Sequence, residues 1–140
     1  MFWDSSAVVP FLVPEPRSRD IASWLRSDHD VVLWWASVVE CQSALYRRHR
    51  DAPLPRAALT EALARLTAVA QDADVVAPTN RVRERAGRLL ATHPMRAADA
   101  LHLAAALVWC DEQPQGQVFV TLDERLAETA RREGFGILPE

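Results

Sequence analysis

Short apolar runs alternate along the chain with longer stretches whose apolar residues recur at helical spacing. That alternation predicts an α/β protein in which buried strands of a mainly parallel sheet are joined by covering helices. Phe2-Trp3 is the first run, closed by Asp4, and Ser5-Ser6 offer capping side chains for a short helix over 7–12. Pro14 and Pro16 mark a turn before a helix over 17–26, which carries Ile21, Trp24 and Leu25 on one face. Residues 31–35 are continuously apolar, as suits a strand buried on both sides. Ser37, with Glu40 three positions on, reads as a capping box for a helix reaching about 49, and 51–55 is a break.

Beyond the break, Leu59, Leu63, Leu66 and Ala70 line one face of a helix over 56–70, and 74–77 is a third strand closed by Pro78. Thr79 opens a helix that ends near His93-Pro94, and another spans 96–110. A turn over 113–116 leads into a fourth strand at 118–121. The last helix covers 123–133 and stops at Gly134, and 136–138 is an edge strand. No repeat or linker interrupts this order, so the pattern predicts a single domain over 1–140 with four or five strands.

At 140 residues, 49% hydrophobic and 25% charged, the chain can build one core, and the composition argues against disorder or a membrane bundle. No run approaches the length of a membrane span, since Pro10, Pro14 and Glu15 break the first candidate. Every basic residue is arginine, which removes Schiff-base, P-loop and kinase lysines and the lysine of a phospho-receiver domain. The 4 glycines form no phosphate-binding loop and no nucleophile elbow. Cys41 and Cys110 fall in apolar helical context, which predicts buried free thiols in a reducing compartment. The N-terminus lacks the order of a signal peptide, so a cytoplasmic protein is expected. A formal charge of −3 disfavours coating of nucleic acid by bulk charge.

Ligands of open parallel sheets bind outside the carboxyl ends of the strands, which directs attention to acids placed there. Asp4 ends the first strand and Asp123 follows the fourth, and each reads equally well as a helix N-cap. Asp99 lies in a segment, 96–107, so poor in polar residues that its carboxylate needs either Arg96 as a partner or a metal ion. Glu40 reads either as a capping-box residue or as a fourth acid of the same group. Two carboxylates about 4 Å apart repel by about 4 kcal/mol at an effective dielectric near 20, so a cluster implies a bound cation or shared protons. Oxygen ligands favour Mg²⁺ or Mn²⁺, whereas the histidines and cysteines show no zinc spacing.

The opening Phe2-Trp3-Asp4-Ser5-Ser6-Ala7-Val8-Val9 with Glu15-Pro16, then Ser37-Val38-Val39-Glu40 with Ala44-Leu45, resembles PIN-domain proteins, particularly the VapC toxins of bacterial toxin–antitoxin pairs. Ala98-Asp99-Ala100-Leu101-His102-Leu103-Ala104 and Val120-Thr121-Leu122-Asp123 with Leu126, Ala130 and Gly134 continue the match in order over nearly the whole chain. The resemblance implies a three-layer α/β/α PIN-like domain and a Mg²⁺-dependent endoribonuclease, with Mn²⁺ as a substitute, that leaves a 5′-phosphate and a 3′-hydroxyl. By motif position Asp4, Glu40, Asp99 and Asp123 carry over as catalytic metal ligands, with Ser6 and Thr121 in support. Ser5 stands where threonine is usual, and Glu124 is an adjacent acid without an assigned role. A homodimer and a separately encoded antitoxin protein are implied as well. The competing reading is a catalytically silent PIN-like module that binds RNA or protein.

RNA held beside acids needs cations. Arg47, Arg48 and Arg96 are the candidate substrate contacts, and Arg81, Arg85 and Arg88 share a face of another helix. Each group also reads as helix-dipole or surface charge. His102 and Ser5 as parts of a hydrolase site are the weakest reading, since no oxyanion signature accompanies them. Trp3, Trp34, Trp35 and Trp109 are expected in the core, and Trp24 at a protein interface.

Overall fold

The computed structural model describes residues 1–14, 18–51 and 54–139. Its first half runs β1 (Phe2–Trp3), α1 (Ser5–Leu12), α2 (Ser18–Ser27), β2 (Val32–Trp34), α3 (Ser37–Asp51) and α4 (Arg56–Asp72). The second half runs β3 (Asp74–Val76), α5 (Asn80–Thr92), α6 (Ala97–Trp109), β4 (Val118–Val120), α7 (Glu124–Glu133) and β5 (Gly136–Leu138). The expected Glu15-Pro16 motif, the Pro16 turn, the start of a helix at Arg17 and part of the 51–55 break lie outside the described residues.

Alternation within the strands decides the layering. Phe2, Val32, Trp34, Phe119 and Ile137 pack with α5, α6 and α7, whereas Trp3, Leu33 and Val120 pack with α1 to α4. Because successive strand residues point to opposite faces, both faces of the sheet are apolar and both are covered, giving an α/β/α domain. Phe2 stacks on Phe119 with ring centroids 5.3 Å apart, and Phe119 meets Phe135 at 5.8 Å. α6 is the most deeply set helix: Leu103, Ala104, Ala105 and Ala106 are fully buried, as its nearly polar-free sequence requires.

The sheet order is β3-β2-β1-β4-β5, with every pair parallel. The chain leaves β1 toward β2 on one side, and later crosses back to place β4 on the other side of β1. Trp3 pairs with Val120, so the carboxyl ends of β1 and β4 lie side by side at the point where the winding reverses. That is where an open parallel sheet leaves a crevice.

Three local expectations are corrected. Asp4, as one of its two readings had it, is the N-cap of α1 in place of Ser5 or Ser6, so the helix begins at Ser5 and not at residue 7. Ser37 and Glu40 form no capping box: Ser37 is the first residue of α3, its Oγ is buried without a partner among the described residues, and Glu40 points elsewhere. Trp35 is 57% exposed instead of buried, because the strand stops at Trp34 and the covering helices do not reach beyond it. Trp3 and Trp34 are core residues as expected, and Trp24 and Trp109 are half-buried at the core edge.

Gly134 ends α7 as its position predicts. Its φ of +107° is the left-handed conformation that glycine adopts without strain, and the Phe135 amide donates to the Ala130 carbonyl at 3.1 Å.

Candidate active site

Asp4 follows β1 directly, and its amide donates to the Val120 carbonyl at 2.9 Å, which fastens it to the end of β4. Its Oδ2 accepts the Ser6 amide at 3.2 Å, the Ser6 hydroxyl, and Thr121 Oγ1 at 3.0 Å. Ser6 Oγ in turn accepts the Leu122 amide at 2.9 Å, and Thr121 Oγ1 accepts the Asp123 amide at 3.1 Å. The two hydroxyls therefore stitch the β1 and β4 ends together while saturating one oxygen of Asp4. The other oxygen, Oδ1, faces His102 Nδ1 at 3.4 Å. Asp4 thus combines two roles that stood as alternatives, N-cap and member of an acidic site.

Glu40 reaches the same place from the first turn of α3. Its Oε2 accepts Ser5 Oγ at 2.8 Å and His102 Nε2 at 2.7 Å, which leaves Oε1 as the oxygen not engaged by the described residues. Burial raises the Glu40 pKa, but the hydrogen bond and charge of His102, with help from Ser5, outweigh it and hold the carboxyl below its ordinary value. For His102, burial lowers the pKa, and Glu40, Asp4 and Asp99 outweigh it and raise the imidazole above its ordinary value. The donor atoms of Asp4, Glu40 and His102 all lie within 4.8 Å of one another.

Asp99 sits at the start of α6, half-buried, with Arg96 as the N-cap residue. Burial, followed by the Asp123 and Asp4 carboxylates, pushes its carboxyl above the ordinary range, against a backbone hydrogen bond from Arg96 and the charge of His102. The Arg96 side chain forms no ion pair with Asp99 among the described residues, so the expected structural partner is a backbone group only. Asp123 is the N-cap of α7, its Oδ1 accepting the Arg125 and Leu126 amides at 2.8 and 3.0 Å. Asp99 and Asp123 stand outside the three-residue cluster but line the adjoining cleft of about 810 Å³, together with Arg96 and Arg125.

This donor set suits a divalent cation. Asp4 and Glu40 meet at His102, Asp99 feels the Asp4 and Asp123 carboxylates, and a buried nitrogen of His102 has no hydrogen-bond partner among the described residues. Cys41, buried behind Asp4 and Glu40, is no nucleophile: burial and then those two acids push its thiol up to about 12.

The cationic candidates separate. Arg81 pairs with Asp111 at 3.2 Å, and Arg85 pairs with Glu112 at 2.8 Å and Glu133 at 2.6 Å. Arg85 thereby braces α5 against the α6–β4 loop and α7, while the Arg81 pair is exposed, in keeping with the surface-charge reading of this face. Arg47 is exposed and Arg48 half-exposed on the last turns of α3. Sequence reasoning missed His102 as a member of the cluster and Arg125 as a cleft residue. The available signal for His102 was a lone imidazole in an otherwise apolar helix, three residues after Asp99 and so on the same face.

Fold and site together define a parallel α/β/α protein with an acidic crevice at the sheet's switch point, and over residues 1–132 the chain matches the PIN domain family, to which it belongs. Among its relatives is Ribonuclease VapC46 of Mycobacterium tuberculosis, 30% identical over 138 residues that cover 99% of this chain and 95% of that protein. Solved structures that share the fold include the following two. PAE2754 from Pyrobaculum aerophilum superposes with a TM-score of 0.69 at 18% identity, covering 98% of this chain and 87% of that one. VapC20 of Mycobacterium tuberculosis, described as a sarcin–ricin loop cleaving toxin, has a TM-score of 0.62 at 20% identity, covering 91% and 92%.

Proposed function

We propose that this chain is a divalent-metal-dependent endoribonuclease and the toxin of a type II toxin–antitoxin pair. In this reading it works as a cytoplasmic homodimer and is restrained by a separately encoded antitoxin. The observation that carries the reading is the meeting of Asp4, Glu40 and His102 within 4.8 Å, with Asp99 and Asp123 beside them, where β1 and β4 end. Family membership and the ribonuclease named as its mycobacterial relative support RNA as the substrate. No helix among the described residues is long and apolar enough to cross a membrane.

Asp4, Glu40, Asp99 and Asp123 would hold Mg²⁺, or Mn²⁺ in its place. When bound, such an ion would supply Lewis acidity that activates water and offsets charge on the phosphoryl oxygens. Ser6 and Thr121 occupy Asp4 Oδ2 and so turn Oδ1 toward the crevice. Ser5 and His102 occupy Glu40 Oε2 in the same way and leave Oε1 for the site. Arg96 and Arg125, on the wall of the cleft, bind the phosphates on either side of the scissile bond, and Arg47 and Arg48 extend that track. No side-chain nucleophile is required, since the nearby hydroxyls are spent on carboxylates and the Cys41 thiol stays protonated.

The test is RNA cleavage by the purified chain in Mg²⁺ and in EDTA, beside Asp99→Asn. Cleavage that needs the ion and disappears in the folded variant supports the proposal. Undiminished cleavage by folded Asp99→Asn, or cleavage unaffected by EDTA, rejects it.

A further inference from the structure

His102 is only 2% exposed, and its Nδ1 is buried with no hydrogen-bond partner among the described residues. Native proteins leave few buried polar atoms in that condition without an ion, a water or a function to account for them. The atom facing this nitrogen is Asp4 Oδ1, at 3.4 Å and without the alignment of a hydrogen bond. That separation is long for a direct bond. It does suit two atoms that each sit about 2.1 Å from one shared ion.

The opposite side of the ring points the same way. Nε2–H donates to Glu40 Oε2 at 2.7 Å. Histidines that ligate metals are commonly held in this manner, one nitrogen toward the ion and the other N–H on a carboxylate. Asp4 Oδ2 and Glu40 Oε2 are both saturated by protein donors, so the open valences of the cluster are Asp4 Oδ1, Glu40 Oε1 and His102 Nδ1.

We propose that His102 is itself a ligand, through Nδ1, of the divalent ion held at Asp4 Oδ1, with Glu40 orienting the ring from its Nε2 side, and that it biases this site from Mg²⁺ toward Mn²⁺ and the later first-row ions. The proposal rests on the reading of the acidic crevice as a metal site and adds a nitrogen donor to it. Mg²⁺ keeps to oxygen ligands and gives up water reluctantly, whereas imidazole suits transition ions. A site of carboxylates alone has little means to prefer one over the other. One with an imidazole in the shell does.

The experiment uses the full chain and Mn²⁺ as a paramagnetic probe, read by pulsed electron paramagnetic resonance, with Mg²⁺ as competitor. The expected spectrum carries the nitrogen modulation of a directly coordinated imidazole, and Asp4→Asn loses the bound ion and the modulation together. In His102→Gln, whose amide can still donate to Glu40, Mn²⁺ remains bound without the modulation, and its preference over Mg²⁺ falls about tenfold. Mn²⁺ that binds, is lost in Asp4→Asn and shows no imidazole modulation overturns the role of His102 and leaves the acidic site standing. Modulation that persists in His102→Gln overturns it equally. Mn²⁺ that fails to bind, or binds undiminished to Asp4→Asn, overturns both readings. Should His102→Gln not fold, the wild-type and Asp4→Asn spectra decide, because His102 is the one histidine of the cluster among the described residues.

Discussion

Thr121 Oγ1 donates to Asp4 Oδ2 at 3.0 Å across 117 positions of the chain, and the same hydroxyl oxygen accepts the Asp123 amide at 3.1 Å. One side chain at the end of β4 thus orients an acid at the end of β1 and the loop that carries another. Thr121→Val keeps the shape and removes both bonds. With Thr121 only 2% exposed, the orphaned groups are expected to cost about 1–3 kcal/mol of stability in urea denaturation. Mn²⁺ affinity, measured by titration, is expected to fall about 10–100-fold because the orientation of Asp4 is lost. Unchanged affinity in the folded variant would show that Asp4 needs no such support.

Ser37 offers the opposite case. Its Oγ is buried without a partner among the described residues, and the residue is 1% exposed, so the hydroxyl is desolvated with no bond from them in return. Ser37→Ala is expected to raise stability by about 1 kcal/mol in the same assay, with RNA cleavage unaltered. A loss of stability would mean that the hydroxyl has a partner.

Phe119 lies between Phe2 and Phe135 on the face of the sheet that α6 covers. Phe119→Ala removes the middle ring of that stack from a fully buried position and is expected to cost about 3–5 kcal/mol. Thermal denaturation followed by circular dichroism measures it, and a change below about 1 kcal/mol would contradict this packing.

Glu133 makes folding sensitive to acid. Burial raises its pKa, but His93 at 2.7 Å and Arg85 at 2.6 Å outweigh burial and hold it below the ordinary value of 4.5. A carboxyl depressed in the folded state contributes stability that is fully present above the unfolded value and is lost as pH falls through the folded one. Stability measured from neutral pH down past 4.5 should therefore decline more steeply in wild type than in Glu133→Gln. Parallel curves would remove Glu133 from the account.

Arg96 and Arg125 share the cleft wall with Asp99 and Asp123. If each meets a phosphate of single-stranded RNA, removing one lowers the slope of log affinity against log salt by about 0.7. Binding is best measured in an Asp99→Asn background so that the RNA survives. A slope unchanged in Arg96→Ala and Arg125→Ala would move the RNA track elsewhere.

Most of the fold was legible because strand and helix periods are properties of consecutive residues. The run at 118–121, the helix at 96–110 and the stop at Gly134 all appear within about a residue of where the pattern put them. Trp35 was misread because apolar character continues one residue past the strand, and local pattern does not report where the covering layer stops. The partners of Arg85 were illegible for the same kind of reason: Glu112 and Glu133 are 27 and 48 positions away.

The sequence alone determined the class of fold, the identity of the four acids worth weighing and the absence of lysine chemistry, since these follow from periodicity and residue type. Only the tertiary structure decided that Glu40 abandons the capping box for Ser5 and His102, and that a histidine 62 positions away closes the cluster. The reason is physical: the order β3-β2-β1-β4-β5 sets the ends of β1 and β4 side by side. Which side chains then satisfy one another across that junction depends on distances that no local spacing encodes.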